Sequence, residues 1–164
     1  MRMYVDEDAE EFDIFLEYAI KKYKYFKFID FCYDPKTERT IVKQELTNRQ
    51  GFINIEKFQK RCDEVLSILK DDFIEIKQEK TYYGLKNIKY LRYYRMSKKF
   101  LKAAKLLRFF EDPFAVLSIS SIFEDFRFYD DLNKDLLHTI SHEYDFYYSE
   151  DAKEFIDKKK QELR

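Results

Sequence analysis

The chain contains only two glycines and two prolines in 164 residues, and this scarcity limits the number of tight turns it can form. The turns that join short hairpins most often need glycine at a positive φ or proline at a fixed position. A barrel or sandwich built from many hairpins is therefore disfavoured, and we expect helices to dominate. A hydrophobic content of 45% and a charged content of 38% are typical of a globular chain.

The large apolar side chains are mostly aromatic, with 17 Phe, 14 Tyr and no Trp. We expect a core of Phe rings with many Tyr rings at its margin, because each buried hydroxyl needs a hydrogen-bond partner. The length suits one ordinary domain, so residues 1–164 are predicted to form a single globular domain. Abundant Lys, Phe, Tyr and Ile beside nine Arg are typical of AT-rich genomes, such as those of phages and mobile elements.

Helices are predicted where apolar residues recur at three- and four-residue spacing behind a capping residue. Ser97 and Ser149 are the clearest caps, and Asn54 precedes a third apolar face. The predicted helices cover residues 7–22, 54–70, 98–110, 114–126, 131–147 and 150–163.

Strands are predicted where aromatic and β-branched residues surround a turn or alternate with charges. Residues 23–34 and 39–46 form a predicted hairpin around DPKTER, in which Pro35 suits position i+1 of a type I turn. DFIEIKQ, from residue 72, alternates in the manner of a strand, whereas residues 82–95 fit a strand and a helix equally. We therefore expect an α+β fold with helices in the majority and a small antiparallel sheet, and an all-α helical bundle is the alternative.

The two cysteines, Cys32 and Cys62, form no CxxC pair, so we expect two reduced and buried thiols. The acidic N-terminal residues 1–13 lack the basic and then apolar order of a signal peptide. No apolar run approaches the roughly 18 residues of a membrane span. We expect a cytoplasmic protein with no membrane partner.

Charge is separated along the chain although the total is −1. Residues 1–20 contain seven acids and one base, residues 77–110 contain one acid and eleven bases, and residues 111–151 contain eleven acids and two bases. Blocks of like charge repel one another unless groups of the opposite sign face them. We call residues 77–110 the basic block and residues 111–151 the acidic block. What this chain binds therefore depends on whether the acidic groups that face the basic block belong to this chain or to another molecule.

The predicted helix after Ser97 carries a row of basic residues opposite its apolar side. We name this row the basic ridge: Lys98, Lys102, Lys105 and Arg108. The ridge has a shape that suits phosphates, an acidic groove of another protein, or acidic helices of the same fold. As an equal alternative, the ridge is only solvated, or it forms ion pairs with acids of the same chain.

No sequence motif indicates catalysis, and we expect a non-enzyme without a cofactor or a metal. His138 and His142 lie at i, i+4 in the predicted helix 131–147, beside Asp131, Asp135 and Asp145. The pattern is not HExxH because Thr139 follows His138, and the cluster lies opposite the apolar stripe. With only Gly51 and Gly84 available, no phosphate-cradling loop is formed, and no GxSxG is present.

The sequence therefore predicts a non-catalytic binding protein that occupies a protein or nucleoprotein partner, as an inhibitor, antidote or adaptor does. A nucleic-acid binder that uses the same residues on phosphates is the alternative. A homodimer that joins the basic face of one copy to the acidic face of another is a variant. The predicted partner-binding residues are Tyr90, Arg92, Tyr94, Arg95, Lys98, Lys102, Lys105 and Arg108.

Overall fold

A computed structural model describes residues 9–42, 55–80, 88–108, 122–130, 135–140, 145–147 and 149–164. The helices are α1 Ala9–Lys22, α2 Ile55–Leu69, α3 Lys99–Arg108 and α4 Glu150–Glu162, and a 3-10 turn at Lys70–Asp72 follows α2. The strands are β1 Tyr25–Asp30, β2 Tyr33–Asp34, β3 Arg39–Thr40, β4 Phe73–Lys80, β5 Ile88–Arg95, β6 Phe123–Tyr129, β7 Asp135–Ile140 and β8 Asp145–Tyr147.

Six of these strands form one antiparallel sheet in the order β4-β5-β1-β6-β7-β8. β1 lies at its centre, with Phe26 opposite both Tyr94 of β5 and Phe128 of β6. β2 and β3 form a separate two-stranded hairpin. The predicted α+β class with an antiparallel sheet is confirmed.

One aromatic core joins the four helices to the sheet. Phe26 and Phe28 alternate along β1 and stack on Tyr94, at ring-centroid distances of 5.1 and 5.5 Å. Phe100 of α3 packs 4.7 Å from the Phe26 ring. The buried residues of α1, α2 and α4 belong to the same cluster, and they include Phe15, Leu16, Ala19, Phe58, Cys62, Val65, Leu69, Ala152 and Ile156. All four helices therefore cover the same face of the sheet.

The predicted helices at 7–22, 54–70, 98–110 and 150–163 are present, with bounds within a few residues of those expected. Both predicted serine caps bond to the first turn of their helix. Ser149 Oγ accepts a hydrogen bond from the Ala152 N–H at 3.2 Å. Ser97 Oγ accepts one from the Lys99 N–H at 3.2 Å and donates to Asp72 Oδ2 at 2.5 Å. These bonds satisfy donors that a helix N-terminus leaves unpaired.

Two predicted helices are wrong. Where a helix was predicted at 114–126, residues 123–126 belong to β6, and residues 114–121 lie outside the described residues. Where a helix was predicted at 131–147, the described residues form β7 and β8. The apolar residues of β6 suited a short helix, but pairing with β1 places Phe126 and Phe128 in the core instead. Tertiary contacts overrode the local periodicity.

The predicted long hairpin at 23–34 and 39–46 is also wrong in its pairing. β1 pairs with β5 and β6, and of the described residues only two from each predicted strand pair with each other, as β2 and β3. Residues 43–46 of the predicted hairpin lie outside the described residues. Asp34 fixes that turn, because its carboxylate accepts hydrogen bonds from the Lys36 N–H and from the Thr37 hydroxyl, each at 3.0 Å. The ambiguous segment 82–95 is a strand from Ile88 onward.

Candidate binding surface

The sheet face that points away from the core carries basic and aromatic side chains. Along β1, Tyr25 and Lys27 alternate with the buried Phe26 and Phe28, because successive residues of a strand point to opposite faces. We call the surface of the following eight residues the open face: Tyr25, Lys27, Lys77, Lys89, Tyr93, Arg95, Arg127 and Tyr129. Of these, Lys77, Arg95 and Arg127 are exposed, and the others are half-buried.

Backbone register places these residues in rows across three strands. Lys27 of β1 lies opposite Tyr93 on one side and opposite Arg127 on the other. In the next row, Tyr25 lies between Arg95 and Tyr129. Because neighbouring strands are about 4.8 Å apart, each row of three spans about 10 Å. The open face therefore brings tyrosine rings and cations together at contact distance.

Lys27 is held between two tyrosine rings. Its Nζ atom lies 5.4 Å from the ring centroid of Tyr93 and 5.2 Å from that of Tyr129. Lys77 Nζ lies 5.1 Å from the same Tyr93 ring. A contact of this kind is worth about 0.5–1 kcal/mol at a solvent-exposed site, so the cations are positioned by the rings. The rings and lysines also line a pocket of about 350 Å³ together with Ile74 and Glu75.

Acidic residues lie at one rim of the open face, on β4. Glu75 is opposite Tyr93 and Glu79 is opposite Lys89 in the β4–β5 register. Glu75 also forms an exposed ion pair with Lys77 at 3.3 Å. Glu79 also lines a small pocket with Lys27, Lys89 and Arg127, so bases outnumber acids there by three to one.

Arg92 and Tyr94, two of the predicted partner-binding residues, lie on the core side of β5. Their exposed fractions are 7% and 1%, so they do not belong to a partner-binding surface. Arg92 Nε donates to Asp30 Oδ2 at 2.8 Å, and Arg92 Nη2 donates to the Thr40 hydroxyl at 2.9 Å. Burial raises the pKa of the Tyr94 phenol to about 12. These two residues are structural.

Two other predicted partner-binding residues, Tyr90 and Arg95, also belong to β5 and lie on opposite faces of the sheet. Tyr90 is half-buried on the core side, where its ring lies 5.0 Å from that of Tyr33. Arg95 is exposed and lies opposite Tyr25 on the open face. The strand period of two explains the division, because the two residues are an odd number of positions apart.

The basic ridge lies elsewhere, on α3 and the residue before it. Lys98, Lys102 and Lys105 are exposed, and the side chain of Arg108 lies outside the described residues. Lys102 and Lys105 line a groove of about 1030 Å³ between α2 and α3, and the opposite wall carries acids of α2: Glu56, Asp63 and Glu64. Lys99, outside the ridge, pairs with Asp71 at 2.8 Å. Two residues of the ridge, Lys102 and Lys105, therefore share a groove with carboxylates of their own chain.

The helix predicted to align the histidine cluster is replaced by strands in its described part, residues 135–140 and 145–147. His138 lies in β7, where it pairs with Arg127 in the backbone register, and His142 lies outside the described residues. Within the described ranges, no group of three or more His, Cys, Asp or Glu residues is placed to hold a metal ion. Cys32 and Cys62 are buried, as predicted, and neither forms a disulfide; burial raises the pKa of the Cys62 thiol far above its usual value.

No protein-family model, curated protein or solved structure matches this chain. Across the described part of the chain, none of the helices is long and apolar enough to cross a membrane. The surface must therefore be interpreted from its own geometry.

Sequence reasoning missed most of the open face. The alternation of Tyr25 and Lys27 with Phe26 and Phe28 was visible in YFKF and indicates a strand with one buried side. Arg127 and Tyr129 could not be added, because a helix was predicted up to residue 126 and no strand was predicted after it. Only the pairing of β6 with β1 brings these side chains beside Lys27.

Proposed function

We propose that this chain is a non-catalytic binding protein that occupies an acidic surface of a protein partner through its open face. The observation that carries the proposal is Lys27, held between the rings of Tyr93 and Tyr129 at the centre of the sheet. Tyr and Arg are the residues that most often dominate protein interfaces, because they bury large area and still form hydrogen bonds. Clustered positive charge also raises the encounter rate with an acidic partner.

The same geometry favours a protein partner over a nucleic acid. A base stacks on the flat face of an exposed ring, but lysine ammonium groups lie over the Tyr93 ring from both Lys27 and Lys77. The carboxylates of Glu75 and Glu79 line the rim and repel phosphate. The basic ridge offers phosphates no better site, because Lys102 and Lys105 share their groove with acids of α2.

An inhibitor, antidote or adaptor needs only to cover a surface that another molecule would use. The open face suits that task, since it spans several strands of a sheet supported from behind by the aromatic core. A rigid surface loses little conformational freedom on binding. Two buried cysteines without a disulfide support a reducing, cytoplasmic setting.

The test compares two matched charge reversals on exposed residues, Arg127→Glu on the open face and Lys98→Glu next to α3. The tagged wild-type chain captures partners from a host lysate, and the captured protein is then purified and titrated against each variant. We expect Arg127→Glu to weaken binding at least about tenfold, mainly by slowing association, and Lys98→Glu to change it less than about twofold.

Equal losses in both variants, or no loss in Arg127→Glu, would contradict the proposal. A single-stranded oligonucleotide provides the competing outcome. Retention of oligo(dT) that disappears between about 50 and 200 mM salt, and that Arg127→Glu abolishes, would assign the open face to nucleic acid instead.

A further inference from the structure

β4 forms one edge of the six-stranded sheet, and among the described strands it pairs with β5 alone. It is eight residues long, and six of its residues are exposed: Phe73, Ile74, Glu75, Lys77, Gln78 and Glu79. Phe73 and Ile74 are 39% and 40% exposed, and Ile88 at the start of β5 is 48% exposed. A long edge strand with apolar residues presents unpaired backbone donors and acceptors to another strand.

We propose that this edge binds the same edge of a second copy of the chain, with β4 antiparallel to β4 about a two-fold axis at Ile76. In this register Ile76 lies opposite Ile76 of the second copy. Glu75 lies opposite Lys77 of the second copy, and by symmetry Lys77 lies opposite Glu75 of the second copy. The main-chain hydrogen bonds would join two sheets into one.

The charges of β4 select this register. A shift of the two-fold axis by one residue towards the C-terminus places Lys77 opposite itself, and Glu75 opposite Glu79 of the second copy. A shift by one residue towards the N-terminus places Glu75 opposite itself. Directly opposed like charges destabilise a strand pair, whereas opposite charges stabilise it.

Registers centred between two residues are excluded by the faces of the sheet. Such a register places Ile76, which points to the core side, opposite Lys77, which belongs to the open face. The second sheet would then be inverted and would present its core face beside the open face of the first. Charged residues on an edge usually prevent pairing. Here the spacing of Glu75 and Lys77 makes the edge complementary to itself.

The two-fold axis of this pairing is perpendicular to the sheet. Both open faces therefore lie on the same side of one continuous sheet, with their acidic rims adjacent at the junction. This inference rests on β4 alone, so it stands or fails separately from the partner proposed for the open face.

The experiment measures self-association by sedimentation equilibrium for the wild type, Glu75→Lys and Lys77→Glu. Each single substitution places like charges opposite each other twice per dimer, so we expect the dissociation constant to rise at least about tenfold. Glu79→Lys is the matched control, because residue 79 lies opposite the irregular Phe73–Ile74 end of β4 in the second copy, where there is no charged side chain. It should leave dimerisation within about twofold of the wild type.

Mixing the two single variants separates pairing between chains from effects within one chain. Glu75→Lys carries two bases at positions 75 and 77, and Lys77→Glu carries two acids there. The mixture should therefore form a mixed dimer although each variant alone is weakened. This rescue cannot come from the exposed Glu75–Lys77 ion pair within one chain, because neither variant can form it.

Cross-linking tests the register directly. A short bismaleimide should link two copies of Ile76→Cys, because the introduced thiols lie side by side at the axis. It should not link Glu79→Cys, whose thiols would be about 20 Å apart. Cys32 and Cys62 are buried and should not contribute. A wild type that stays monomeric at all concentrations, a mixture that shows no rescue, or equal cross-linking of both cysteine variants would each overturn the inference.

Discussion

The buried ion pair between Arg92 and Asp30 yields the sharpest stability prediction. The Asp30 carboxylate is 1% exposed and accepts hydrogen bonds from Arg92 Nε at 2.8 Å, from the Cys32 N–H at 3.0 Å and from the Thr40 hydroxyl. The pair thus connects β1, β3 and β5. The Arg92 guanidinium also lies over the ring of Tyr33, 5.4 Å from its centroid.

Arg92→Met removes the cation and leaves a buried carboxylate without its charge partner. Removal of one member of a buried ion pair costs about 3–5 kcal/mol of unfolding free energy. A chain of this length loses roughly 2–4 °C of melting temperature per kcal/mol, so the melting temperature should fall by about 10 °C. Because domains have only about 5–15 kcal/mol of stability, the variant should remain folded at room temperature but with a clearly lower urea midpoint.

The double variant Asp30→Asn with Arg92→Met separates lost charge from lost packing. An amide at position 30 keeps one oxygen that can accept from the Cys32 N–H, and its NH2 group can donate to the Thr40 hydroxyl oxygen, but it needs no cation. We expect the double variant to recover about half of the loss caused by Arg92→Met. Urea denaturation followed by circular dichroism, at two salt concentrations, measures both. A cost below about 1 kcal/mol for Arg92→Met, or a double variant no more stable than the single one, would refute the reasoning.

Three further predictions concern single groups. Burial raises the pKa of Tyr94 to about 12, so the unfolded chain releases this proton first, and folding stability is lost as pH rises from about 10 to 12. Tyr94→Phe should lose less stability over this range, measured by urea titration at each pH. A pH dependence of stability equal to that of the wild type would contradict the assignment. Burial also raises the pKa of Cys62, so iodoacetamide should label it in the native chain far more slowly than in urea, by mass spectrometry. Ser149→Ala removes the acceptor for the Ala152 N–H and should cost about 1 kcal/mol, measured by thermal melting, whereas Ser149→Asp should cost less.

Local pattern was enough to predict α2, whose apolar positions fall on one helical face and whose Phe58, Cys62, Val65 and Leu69 are buried. It was enough for β4 as well, because Ile74 and Ile76 alternate with charges. Pattern failed for β6, where Phe123, Phe126 and Phe128 do not follow a single period. Strand pairing with β1 decided that segment, and pairing partners far apart in sequence are not visible in local spacing.

The same limitation explains why the basic block does not form one surface. Residues 77–110 are consecutive in sequence, but the fold distributes their charges over three environments. Arg92 forms an ion pair with Asp30 in the core, Lys99 pairs with Asp71, and Lys102 shares a groove with acids of α2.

The open face gathers positive charge from several segments of the chain. Lys77 and Arg95 come from the basic block, but Lys27 comes from β1, and Arg127 comes from the acidic block 111–151. The charge that a partner would meet is therefore set by strand order and not by the sum along the sequence. Because β1 lies between β5 and β6, its single lysine is positioned by rings from both neighbours. A substitution that disturbs either pairing should weaken the surface even where it changes no charge.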